Sequence, residues 1–266
     1  MRNKNRAPHL RIPVAAPNMR IGLLGGSFNP AHQGHRQISL AAMKRLGLDQ
    51  VWWLVSPGNP LKATRDVPEL GDRVASAREI ARHPKIVVTG FEGARPKAAR
   101  GSVYTIETIR FLKRRFSSID FVWLMGADSL VSFHCWREWE RLFGLLPIAV
   151  LDRPGYRLKA RAGKTAQRFA SAAIDESDAR GLAAMEAPAW ALLTVPLSGL
   201  ASTNLRGGKK AKPTRVKARK AAKTAKTETK KVEKAAKRRS KKDAKQAKKA
   251  TKTKDTKKSK KKPKRH

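Results

Sequence analysis

The sequence predicts an α/β fold in which a parallel, doubly wound sheet is covered on both faces by helices. Three observations lead there. Six apolar runs rich in β-branched residues recur at 21–24, 51–55, 86–88, 121–124, 148–151 and 192–195. They are continuous rather than alternating in polarity, as strands buried on both faces must be. Segments with helical spacing lie between them, so strand and helix alternate. The third observation is the loops: GGSFNPAHQGH, SPGNPLK, TGFEGARP, GADSL, DRPG and PLSGLASTNLR follow the six runs in turn. In an open parallel sheet a ligand binds outside the carboxyl ends of the strands, so these loops would line one rim.

Taken in order, IGLL at 21–24 leads into a helix over 34–46, where Ile38, Ala42 and Leu46 share a side. VWWLV at 51–55 is followed by a helix over 70–82, on the spacing of Leu70, Val74, Ala77 and Ala81. After IVV at 86–88 comes a helix over 104–116, and after FVWL at 121–124 a shorter one over 137–143. IAVL at 148–151 precedes an alanine-rich helix somewhere within 162–185, and LLTV at 192–195 closes the sheet.

The charge is uneven. Of a formal net +40, residues 207–266 carry +25, from 29 Lys+Arg against 4 Asp+Glu. That segment has no aromatic residue and, beyond alanine, only Val216 and Val232 as apolar side chains, so it is expected to be a disordered Lys/Ala-rich tail. Residues 1–18, with four arginines and lysines among three prolines, are expected to be a flexible basic arm, leaving 19–206 as the folded domain. No stretch approaches the roughly 18 apolar residues of a membrane span, and no secretory leader is expected. The single cysteine, Cys135, excludes an internal disulfide, fits a reducing cytoplasm, and is expected to be buried.

The first loop narrows the chemistry. GGSFNPAHQGH has no acidic residue for acid/base work, and its histidines have no cysteine or carboxylate beside them, which leaves a zinc site poorly supported. Gly25 and Gly26 allow a tight turn and close approach of a ligand to the backbone. A phosphate could then sit on the amides of Ser27 and Phe28, with His32 and His35 at the entry of the next helix. The competing reading is a strand-to-helix turn whose histidines only cap or pack.

The same stretch resembles the GSF(N/D)PxHxGH signature of HxGH-type nucleotidyltransferases. LASTNLR at 200–206 resembles their ISSTxxR, with Ser202, Thr203 and Arg206 kept. SVYTIETIRFL, GADSLVSFHCWREW and VLDRPG are similar to further segments of the bacterial nicotinate mononucleotide adenylyltransferases. That resemblance implies a Rossmann-like domain that transfers the adenylyl group of ATP to nicotinate mononucleotide, releasing diphosphate and giving deamido-NAD. It implies His32, His35 and Arg206 as the catalytic groups. It implies ATP contacts from Gly25, Gly26, Ser27, Phe28, Gly126, Asp128, Ser202 and Thr203, with Mg²⁺ carried by the ATP phosphates. Lys62, Tyr104, Thr105, Trp136 and Arg153 would meet the nicotinate mononucleotide.

Several alternatives stay open in the residues themselves. Asp128 would serve equally as the cap of a short helix, and Arg153 as part of a plain turn. Trp136 and Trp139, three apart on a helix, would both suit a core, a role preferred for Trp139. Nicotinamide mononucleotide differs from the nicotinate compound at one ring substituent and is the alternative acceptor. A reading of another class is a nucleic-acid-associated protein. The tail would bind DNA, RNA or polyphosphate by counterion release, with little sequence preference.

Overall fold

A computed structural model describes residues 7–58, 67–95 and 103–195. Six strands form one sheet: β1 (Arg20–Gly26), β2 (Gln50–Val55), β3 (Ile86–Thr89), β4 (Asp120–Gly126), β5 (Ile148–Leu151) and β6 (Trp190–Leu193). Their order is β3-β2-β1-β4-β5-β6 and every neighbouring pair is parallel. The fold is therefore the α/β, Rossmann-like doubly wound sheet that the sequence predicts.

Strand periodicity explains why the apolar runs are continuous, because successive side chains enter different cores. Leu24, Val51, Trp53, Val55, Val122 and Leu124 face one core, shared with α1 (Gln33–Leu46), α2 (Leu70–Ala81) and the 3-10 segment Glu176–Ala184. Ile21, Leu23, Trp52, Leu54, Phe121, Trp123 and Met125 face the other, with α3 (Thr105–Arg115), α4 (Ala127–Ser132) and α5 (Trp139–Phe143).

Four expectations are corrected. Residues 8–18 are not a free arm. Pro8–Leu10 is a 3-10 turn, the His9 carbonyl accepts the Gly90 N–H at 2.8 Å, and Thr89 Oγ1 donates to the Arg11 carbonyl at 2.8 Å. Ile12 and Ala15 pack against the core, so the basic residues mark a segment laid along the edge strand β3. The last strand is Trp190–Leu193 because it pairs residue for residue with the four-residue β5. In place of one alanine-rich helix within 162–185, α6 (Arg157–Arg161) ends before that stretch, and the stretch itself holds the short α7 (Lys164–Arg168) and 3-10 turns. Gly163 separates the first two, and Asp175 accepts the Ser177 N–H at 2.9 Å to open the last turn. Cys135 is exposed at the end of the 3-10 turn Phe133–Cys135, where Phe133 takes the buried position. The tail at 207–266 lies outside the described residues. Among those described, no helix is long and apolar enough to cross a membrane.

Beyond β3, the buried Glu92 accepts a hydrogen bond from Thr108 Oγ1 at 2.7 Å. Burial raises its pKa from an ordinary 4.5 to about 7, against the opposing pull of Thr108 and Arg95. The folded state thus holds this proton more tightly than the unfolded chain. Its contribution to stability is complete below pH 4.5 and is lost as pH rises through 7. Glu92→Gln keeps the acceptor oxygen and removes the titration. It is expected to raise stability at pH 8 by about 1–3 kcal/mol and to leave it nearly unchanged at pH 5, as checked by thermal melts at both values.

Candidate active site

The strand order reverses beside β1, with β2 and β3 on one side and β4 to β6 on the other. Doubly wound sheets take ligands in the crevice at such a switch point, between the carboxyl ends of the two diverging strands. Gly25 and Gly26 end β1, and Gly126 ends β4 and caps α4.

These glycines answer to different constraints. A Cβ on Gly25 would lie 2.5 Å from Cη2 of Trp123, so the space expected for a ligand is filled by that buried indole. Gly25 keeps β1 packed against β4 at the rim of the crevice. A Cβ on Gly126 would meet Asp128 Oδ1 at 2.5 Å, which shows that the carboxylate folds back over the strand end. Beyond Gly26, Phe28 adopts a positive φ of 45° and turns its ring inward. That ring stacks on Trp53 at 5.0 Å and lies 4.8 Å from the His35 ring, so its side chain is a buried platform and only its backbone faces the loop's work.

The histidines do cap the helix. His32 is the N-cap of α1 and His35 is its third residue, and together they form a reciprocal capping box. The His32 backbone N–H donates to Nδ1 of His35 at 3.2 Å. The two rings lie 3.8 Å apart between centroids. Burial, then the neighbouring His32 and the Arg153 guanidinium, depress the His35 pKa to about 3. Burial and Arg153 lower that of His32 as well. His35 is therefore a neutral imidazole at physiological pH. With Nδ1 engaged as an acceptor, its proton resides on Nε2. Capping and phosphate binding are then complementary: the cap fixes a tautomer and aims one N–H donor. Burial of the neutral ring also makes stability fall as pH drops from 6.5 toward 3, opposite in sign to the effect of Glu92.

Arg153 follows β5 and forms an ion pair with Asp128. No side-chain hydrogen bond caps α4, so Asp128 holds the arginine rather than the helix. The pair joins the loops after β4 and β5 and sets a guanidinium close enough to both imidazoles to perturb them. Positive charge here comes from arginine, while the histidines supply uncharged donors.

Tyr104 is the N-cap of α3 and Thr105 its first residue, with the Arg137 guanidinium 4.6 Å above the Tyr104 ring. Trp136 is half-buried, 6.2 Å from Trp123 and 5.0 Å from Phe133 between ring centroids. It does not share a helix with Trp139: the 3-10 turn ends before it and α5 begins at Trp139, which packs edge-on against Phe169 at 5.9 Å. Lys62, Ser202, Thr203 and Arg206 lie outside the described residues.

One residue of the rim was missed. Arg73 of α2 is buried, and its guanidinium donates to the carbonyls of Ser27 at 2.7 Å, Ser56 at 2.8 Å, Pro68 at 3.0 Å and Pro57 at 3.3 Å. An arginine at i+3 in the stripe Leu70, Val74, Ala77, Ala81 was the available signal.

A family model of cytidylyltransferase-like proteins matches residues 23–207. A probable nicotinate-nucleotide adenylyltransferase of Methylorubrum extorquens is 55% identical over 188 residues, covering 71% of this chain and 99% of the relative. Its counterpart in Rhizobium meliloti is 48% identical over 191 residues, covering 72% and 99%. Among solved structures, the Plasmodium falciparum nicotinic acid mononucleotide adenylyltransferase complexed with NaAD superposes with a TM-score of 0.51. Its identity is 17%, over 71% of this chain and 83% of that one, a likeness of fold. The family model covers most of the folded region and the relatives match nearly end to end; the chain belongs to the nicotinate-nucleotide adenylyltransferase family of nucleotidyltransferases.

Proposed function

We propose that the crevice between β1 and β4 binds ATP and nicotinate mononucleotide side by side and transfers the adenylyl group between them. The observation that carries this assignment is the capped pair His32 and His35, at the strand-order reversal, facing a guanidinium held by Asp128. A phosphate oxygen of nicotinate mononucleotide attacks the α-phosphorus of ATP, the bond to the β-phosphate oxygen breaks, and diphosphate leaves. The acceptor brings its own nucleophile, so no covalent enzyme intermediate is required. The Nε2–H of His35 would donate to the oxygens on which charge gathers in the transition state, with His32 beside it. Arg153 would add a fixed positive charge, and the backbone of Ser27 and Phe28 would bind phosphate at the helix entrance.

Tyr104, Thr105 and Trp136 would border the nicotinate ring, with Lys62 on the acceptor phosphate. Ser202, Thr203 and Arg206 would hold the leaving diphosphate. Among the described residues no group of three or more His, Cys, Asp or Glu side chains could hold a metal ion. The divalent ion is assigned to the ATP phosphates by the resemblance alone, and none of the residue roles above runs through it. The reaction is assigned to the cytoplasm, in keeping with a single cysteine.

The test is diphosphate release by the purified chain with ATP and Mg²⁺. Nicotinate mononucleotide, nicotinamide mononucleotide and phosphopantetheine are compared as acceptors. Strong preference for the first is the expected outcome; preference for the amide would reassign the acceptor, and no release from folded protein would remove the activity. The tail is proposed to bind polyanions. Adding duplex DNA to the same protein checks this, since affinity should fall by orders of magnitude between about 50 and 200 mM salt.

A further inference from the structure

Arg73 reaches no assigned ligand position, yet it is the most fully engaged buried cation among the described residues. Its four acceptors belong to three separate pieces of backbone. Ser27 follows β1, Ser56 and Pro57 follow β2, and Pro68 precedes α2. The first two pieces are also joined directly, by the Ser56 N–H donating to the Gly26 carbonyl at 2.9 Å. A buried position that served packing alone would be filled as well by an apolar side chain, without the cost of desolvating a guanidinium. Burial lowers its pKa, though the group stays protonated because arginine begins so high.

The contact with Ser27 has a directional consequence. The Ser27–Phe28 peptide is not among the cis bonds of the chain, so its N–H points away from its C=O. An arginine gripping the carbonyl from the α2 side therefore directs the Phe28 N–H away from α2, toward the opposite edge of the same peptide plane. The same holds for Pro57, whose held carbonyl directs the N–H of Gly58 away from α2. A fork with five donors can hold several carbonyls in one plane; an ammonium on a flexible stem cannot.

We propose that Arg73 is a positioning residue for adenylyl transfer, fixing the turn at Ser27 and Phe28 against the loop after β2 so that the phosphate-facing amide is aimed before nucleotide arrives. This rests on the assignment of that turn to ATP phosphate. Displacement of a positioned group by about 1 Å can cost roughly a hundredfold in rate.

Arg73→Lys and Arg73→Met test it in the full chain, assayed well below each variant's melting temperature. The expected result is a fall in kcat of about 10- to 100-fold with the KM for nicotinate mononucleotide within about threefold of wild type. The lysine variant should fail to rescue. A kcat within about threefold of wild type in either folded variant would overturn the proposal, and a change confined to KM would replace positioning with a binding role. If both variants fold poorly, crystal structures of the wild type without nucleotide and with a non-hydrolysable ATP analogue decide. The Ser27–Phe28 turn and its carbonyl contact to Arg73 should superpose in the two, and a turn that reorients only when the analogue binds would defeat the idea. Absence of turnover in the wild type would instead strike the assignment of the site, independently of Arg73.

Discussion

His35→Ala is expected to lower kcat by about two to three orders of magnitude, the usual cost of removing one donor aimed at developing charge. The substitution also removes the acceptor for the His32 N–H, which costs roughly 1 kcal/mol of stability as a lost cap. His35→Asn separates the two effects. Its amide oxygen stands near the position of Nδ1 and restores the cap, while nothing replaces Nε2–H. Stability should recover in the asparagine variant and turnover should not. Wild-type turnover in a well-folded His35→Asn protein would reduce the histidine to a cap. Because the pKa of His35 is about 3 in the free enzyme, kcat/KM should show no ionisation from this residue between about pH 5 and 8.

Gly25→Ala should be the most destabilising conservative change at the rim. The added methyl would sit 2.5 Å from Cη2 and 3.0 Å from Cζ2 of Trp123. That indole cannot withdraw, being buried and packed edge-on against Trp136 at 6.2 Å. Overpacking of this kind costs about 1–3 kcal/mol, or roughly 2–10 °C in melting temperature for a domain of this size. Part of the loss should return in Gly25→Ala with Trp123→Phe, measured as a double-mutant cycle. Strictly additive effects in that cycle would show that the two residues do not compete for the same space.

How far the sequence was legible depended on which surface a residue faces. Strands buried on both sides declare themselves as unbroken apolar runs, and the sheet, its parallel sense and the rim follow from them. The segment 8–18 was misread because its arginines and prolines outweighed Leu10 and Ile12, whereas its attachment to β3 runs mainly through backbone carbonyls, which carry no sequence signature. Gly25 illustrates a different limit. A glycine beside a ligand and one beside a tryptophan look alike until Trp123 is placed, 98 positions away in the chain. The pairing of Asp128 with Arg153 and the reach of Arg73 to four carbonyls are likewise products of tertiary structure. The histidine motif was readable as a ligand site or as a cap, and the geometry shows that the cap is what fixes the donor.

The register of β1 has a consequence for how this protein is made. Arg20 stands beside Asp120, so the central strand, nearly the first part of the domain to leave the ribosome, gains one of its two neighbours only after about 100 further residues have been synthesised. At about 5–20 residues per second that interval is roughly 5–20 s, during which an apolar strand edge has no partner from its own chain. Nascent chains of this enzyme are therefore most vulnerable to self-association, and most in need of a holding chaperone, between emergence of β1 and emergence of β4. Nucleotide cannot shorten that interval, because the crevice it would occupy does not exist until β4 has docked.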